Sequence, residues 1–111
     1  MKTKSEVEMG RFAELWVEGA LRALVPRGWF VQPHERWSDP YDIKLVAPDG
    51  REVLVEVKSF VSIATDPLRK ARDAQKRADL VLVFDHLKRV IYIYNPNKRK
   101  LMPLSRGRLW Y

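Results

Sequence analysis

The sequence predicts one mixed α/β (α+β) domain, a central mixed sheet flanked by helices, in the order α-β-β-β-α-β-β. Three observations carry that prediction. An amphipathic stretch opens the chain, a Pro-Asp-Gly turn joins two strand-length runs after it, and a short capped helix separates these from two more β-branched runs. At 111 residues the chain is one domain long, taken here as 1–111.

The first helix is expected from about Glu6 to Val25. Ser5 and Glu8 have the S-x-x-E spacing of a capping box, and Pro26 with Gly28 ends the element. Met9, Phe12, Ala13, Trp16, Val17, Ala20, Leu21 and Leu24 form one apolar stripe at three- and four-residue steps, with Trp16 in the core. Trp29-Phe30-Val31 reads as a short strand, and the polar, proline-bounded segment 32–40 as a loop. His34 within it, like His86 further on, reads as a surface residue.

Residues 41–46 and 52–60 read as strands joined by a hairpin. Pro48, Asp49 and Gly50 suit a three-residue loop: proline and aspartate in a type I turn, then glycine in the left-handed position that closes it. Asp66 and Pro67 cap a second helix running to about Ala78, whose Leu68, Ala71, Ala74 and Ala78 form a small face that packs close on the sheet. Residues 79–84 and 90–94 are strands, Asn95-Pro96-Asn97 breaks the second, and a further short strand is placed near Leu101 within a basic C-terminal extension from about residue 98.

Composition narrows the chemistry. With no cysteine there is no disulfide framework, thiolate nucleophile or cysteine-ligated metal, and two histidines do not make a multi-histidine site. Hydrophobic content of 46% beside 32% charged residues is neither that of a disordered chain nor membrane-like. No apolar run approaches the roughly 20 residues that span a bilayer, so no membrane partner is expected and the cytoplasm is the default compartment.

Charge is distributed unevenly. Residues 1–65 hold 9 basic and 10 acidic side chains, a net of −1, whereas 66–111 hold 12 and 4, a net of +8. A basic half of this kind is the footprint of a polyanion binder. Arg69, Arg72 and Lys76 share one ridge of the second helix with Lys70 and Arg77 nearby, which suits phosphate contacts to DNA.

The decisive pattern lies at 53–58. Alternation sends Val53, Val55 and Val57 to one face and Leu54, Glu56 and Lys58 to the other. With a three-residue loop, Ala47 pairs with Arg51 and Asp42 falls directly across from Glu56. Two facing carboxylates repel unless a cation sits with them. That cation is Mg²⁺ or Mn²⁺, held by Asp42 and Glu56, or Lys58 itself in a purely structural ion cluster.

Asp42, then a hairpin, then Glu56-Val57-Lys58 resembles the D…E-x-K signature of the PD-(D/E)XK nuclease superfamily, with Pro40 one residue further from Asp42 than the motif's proline. Gly10-Arg11-Phe12-Ala13-Glu14 is similar to the G-x-x-x-E on the first helix of archaeal-type Holliday junction resolvases and related restriction-type endonucleases. Glu14 lies about 110° from the centre of the apolar stripe, at its edge. The resemblance implies a restriction-endonuclease-like core and a Mg²⁺-dependent endodeoxyribonuclease. Its metal would be held by Glu14, Asp42, Glu56 and the Val57 carbonyl, with Lys58 positioning the water and Gln75 as an accessory group. It also implies a homodimer acting on branched DNA; a restriction or repair nuclease is the alternative within the same class. A non-catalytic module, either double-stranded-RNA-binding-like or an inactive nuclease fold, is the rival from another class.

Overall fold

A computed structural model of the chain describes residues 3–36, 38–61 and 66–105. Helix α1 spans Lys4–Leu24, followed by strands β1 (Phe30–Pro33), β2 (Ile43–Val46) and β3 (Glu52–Phe60). Helix α2 (Pro67–Gln75) leads to β4 (Leu80–Asp85), β5 (Val90–Asn95) and β6 (Lys100–Pro103). The expected order holds, and the strand placed near Leu101 is β6.

The six strands form one sheet in the order β1-β2-β3-β4-β5-β6. Among the described residues only β3 and β4 run parallel, joined by the α2 crossover, and the other pairs are antiparallel. The α-β-β-β-α segment is therefore part of a larger sheet rather than a free-standing binding module.

Each helix covers one sheet face. Ala13, Val17 and Leu21 of α1 pack on Ile43, Leu45, Val55, Leu82, Phe84 and Ile93, while Ala71 and Ala74 of α2 pack with Phe60, Val81, Val83 and Tyr94. Every residue of β4 is buried, because it runs down the middle with both faces covered.

Several details depart from the sequence reading. The N-cap is Thr3, not Ser5: its hydroxyl accepts the Glu6 N–H at 3.1 Å, so α1 starts at Lys4. Two overlapping capping patterns competed, and the earlier one gains more helix. Trp16 is 43% exposed rather than in the core. The buried line is Ala13-Val17-Leu21, and Trp16 sits one position off it, stacked on Phe84 at 5.5 Å. Leu68 is exposed, since only Ala71 and Ala74 of the short α2 are fully buried. The helix also stops at Gln75 instead of Ala78. Gln75 donates from Nε2 to the Ala78 carbonyl, and Asp79 clamps the turn onto β3 by exchanging bonds with both backbone groups of Leu54.

The hairpin register agrees with the expectation. Ala47 N–H donates to the Arg51 carbonyl, Gly50 N–H to the Ala47 carbonyl, and Gly50 takes φ 91°. Two later hairpins close differently, through carboxylate or amide side chains that accept backbone N–H groups: Asp85 from Leu87 and Lys88, Asn95 from Asn97 and Lys98. Each of these turns forces an arginine, Arg89 (φ 57°) and Arg99 (φ 53°), into left-handed backbone. That conformation costs an L-residue about 1–2 kcal/mol, partly offset in glycine by its greater chain entropy. The exposed Arg99 is the cleaner test: Arg99→Gly is expected to raise the thermal midpoint by about 2–4 °C, measured by circular dichroism melting.

Candidate functional site

Glu14 and Asp42 meet where α1 crosses the ends of β1 and β2. The regular ladder between β2 and β3 ends at Ile43 paired with Val55. Asp42 N–H then donates at 3.0 Å to the carbonyl of that same Val55, so two residues of one strand answer to one of the other. This is the signature of a β-bulge, a device that re-aims side chains. Asp42 is therefore not ladder-paired with Glu56 as the regular register implied. Its Oδ2 instead accepts the Val57 N–H at 2.7 Å.

The re-aimed carboxylate lies against Glu14. Burial, then the Asp42 charge and a hydrogen bond to Asp42, push Glu14 from 4.5 up to about 7. Burial likewise raises Asp42, against the pull of the Val57 N–H, and the Glu56 charge raises it further. Lys58 acts in the opposite sense on Asp42, as His34 and Arg11 do on Glu14. Two carboxyls that favour sharing a proton over ionising together make a site short of positive charge.

His34 belongs to this site, contrary to its reading as a surface residue. Its N–H continues the β1–β2 pairing to the Asp42 carbonyl, and its ring Nε2 lies 3.4 Å from Glu14 Oε1. Nδ1 faces the Arg36 carbonyl at 3.2 Å while Nε2 faces the glutamate. A cavity of about 40 Å³ opens between Arg11, Glu14, His34 and Asp42, more than the space one water needs.

Glu56 and Lys58 stand on the α2 side of β3. Glu56 Oε1 lies 3.5 Å from Lys58 Nζ and 3.3 Å from Arg77 Nη2, so it has two cationic partners. Among the described residues, no three acidic or imidazole side chains converge on one point as a ready-made metal cage. The structure thus brings Glu14, Asp42 and the backbone at Val57 together, and leaves Glu56 within electrostatic range but turned to α2.

Arg69, Lys70 and Arg72 are exposed on α2, whereas Lys76 and Arg77, also exposed, lie past its last residue because the helix ends at Gln75. Arg77 is engaged with Glu56, and Lys76 lies 3.9 Å from Asp73. Gln75 serves the end of α2 rather than the carboxylate pair, its Nε2 bonded to Ala78. His86 is also no surface residue: its ring stacks on Phe12 at 6.0 Å and meets Phe84 edge-on at 4.9 Å. Trp37 lies outside the described residues. Among the described residues no helix is long and apolar enough to cross a membrane.

This helix-flanked mixed sheet, with the parallel β3–β4 pair beside the carboxylates, has a solved counterpart. The chain resembles a bacterial homing endonuclease, I-Ssp6803I. The match has a TM-score of 0.54 and 16% sequence identity, over 93% of this chain and 79% of that one. At that identity the likeness is one of fold, which is nuclease-like. No protein-family model and no curated protein sequence matches the chain.

Proposed function

We propose that the protein is a divalent-metal-dependent DNA endonuclease of the PD-(D/E)XK type. The observation that carries this reading is the Glu14–Asp42 pair. Two half-buried carboxyls, one re-aimed by a bulge and one pushed up to about 7, are held together in one pocket. A pair of that kind is costly for a fold and useful for binding a hard cation.

The donor set fits Mg²⁺ or Mn²⁺. Such ions are commonly held by one or two carboxylates, with water and substrate phosphate completing the shell. Glu14 and Asp42 would hold the ion, with the Val57 carbonyl and Glu56 within the same neighbourhood. When bound, the metal supplies a water activated for attack and stabilises charge developing on the phosphate.

The chain's own groups do the rest. Val57 N–H fixes Asp42, His34 orients Glu14, and the Lys58 ammonium lies beside the site to steady the phosphate and orient the attacking water. The exposed cations of α2 bind the DNA backbone without reading sequence. Likeness of fold to a homing endonuclease supports the same class of chemistry. Four-way-junction DNA and a homodimer that spans its arms are the finer form of the proposal.

The test is cleavage of linear duplex, single-stranded and four-way-junction DNA with Mg²⁺ or with EDTA. Cutting only with the metal is expected, strongest on the junction. Binding without cutting in Mg²⁺ or Mn²⁺ would reduce the protein to a DNA-binding module.

A further inference from the structure

A second and larger cavity, about 440 Å³, shares Val57 and Lys58 with the hydrolytic reading and extends away to groups that reading does not use. It lies between the first turns of α1, the end of β3 and the exposed side of α2. Its volume falls in the range of small-ligand pockets. Met9 and Phe60 contribute apolar wall, while Lys58, Lys70 and Arg77 bring three cations to the same space. The acidic lining groups have partners of their own: Glu6 with the Thr3 hydroxyl, and Asp73 with Lys76. Lys70 makes no ion pair among the described residues.

One detail indicates that the space is kept open for something. Gly10 lines it, inside α1, where glycine costs about 1 kcal/mol relative to alanine. The position needs no glycine for its backbone, and a Cβ added there would meet nothing within 4 Å. What a side chain at position 10 would take is the cavity itself.

We propose that this cavity receives one unpaired base of the DNA substrate. Met9 and Phe60 offer apolar surface to the base. Lys70 holds a flanking phosphate, beside the Lys58 and Arg77 cations that Glu56 shares. This presupposes that the chain binds DNA, as proposed above, but not that it cuts it. Drawing a paired base out of a duplex costs a few kcal/mol, least where the base is already unpaired, so such a pocket selects DNA with a base outside the stack. Contact with the wall is worth about 1–3 kcal/mol per base.

The test is made in EDTA, so that no cleavage intervenes. Its probes are a short duplex and the same duplex carrying a single extrahelical 2-aminopurine, with binding followed by anisotropy and the fluorescence of the modified base. Wild-type protein is expected to bind the bulged duplex about tenfold more tightly, the equivalent of about 1.4 kcal/mol. Gly10→Trp and the smaller Gly10→Leu fill the space on a helix they also favour. Both should abolish that preference and the fluorescence change while leaving affinity for the paired duplex intact and the melting midpoint no lower than that of wild type. Equal affinity of wild-type protein for the two duplexes, or a preference that survives both fillings, overturns the proposal. Binding to neither duplex would overturn the DNA reading along with it, whereas a retained preference in a protein that never cuts would overturn only the hydrolysis.

Discussion

Asp42→Asn protein is expected to fold and bind DNA as wild type does, yet to cut it at least about a thousandfold more slowly. The asparagine Oδ1 can still accept the Val57 N–H that Asp42 Oδ2 accepts at 2.7 Å, so the bulge keeps its anchor. What disappears is a negative charge in the pocket that Glu14 shares. Loss of one hard-oxygen ligand removes several kcal/mol of metal and transition-state stabilisation, each 1.36 kcal/mol being a factor of ten in rate. Asp42→Ala provides the contrast. It loses the charge and also leaves the Val57 N–H without its acceptor, which costs about 1–3 kcal/mol of stability. Cleavage time courses, gel shifts in EDTA and thermal melts together separate the two roles. If Asp42→Asn cuts at the wild-type rate, the carboxylate is structural and the reaction lies elsewhere.

Why Asp42 could be singled out from sequence, while its true setting could not, follows from the range of the interactions involved. The turn Pro48-Asp49-Gly50 is local chemistry, and it fixed the register that brings Asp42 toward 56–58. The bulge is not local. It depends on the Asp42 carbonyl being taken by the His34 N–H from β1 and on α1 lying across the end of the strands. No alternation pattern in 41–58 contains either condition. The Glu56–Arg77 contact is likewise made by the β3-α2 crossover, across 21 residues of chain. Glu14 was legible as a carboxylate at the edge of an apolar stripe. The same stripe misplaced Trp16, because a helical wheel shows which residues share a side, not where the sheet beneath them ends. His34 had a signal that went unread. Extending the short strand at 29–31 by two residues and pairing it with β2 sets position 34 beside Asp42.

The pH behaviour of the metal-free protein provides the second large effect. Glu14 stands at about 7 in the folded chain against 4.5 for the free side chain, raised first by burial and then by Asp42. Below pH 4.5 the group is protonated both folded and unfolded, and the fold bears no penalty from it. As pH rises from 4.5 toward 7 the unfolded chain releases the proton and the folded chain retains it, so stability falls. Above about 7 the loss is complete, with an upper bound of about 3 kcal/mol by linkage, shared with Asp42 because the two carboxyls titrate together. Glu14→Gln removes the titration. Its melting midpoint is expected to exceed that of wild type at pH 8, by the equivalent of about 1–2 kcal/mol, and to converge on it near pH 5. Metal reverses the sign of the effect for wild type alone. A divalent cation needs the ionised pair and displaces its proton, so added Mg²⁺ should stabilise wild-type protein more at pH 8 than at pH 5, with little effect on Glu14→Gln. A wild-type melting curve indifferent to Mg²⁺ and Mn²⁺ at pH 8 would leave the carboxyl pair without a cation to hold, and the proposed hydrolysis without its site.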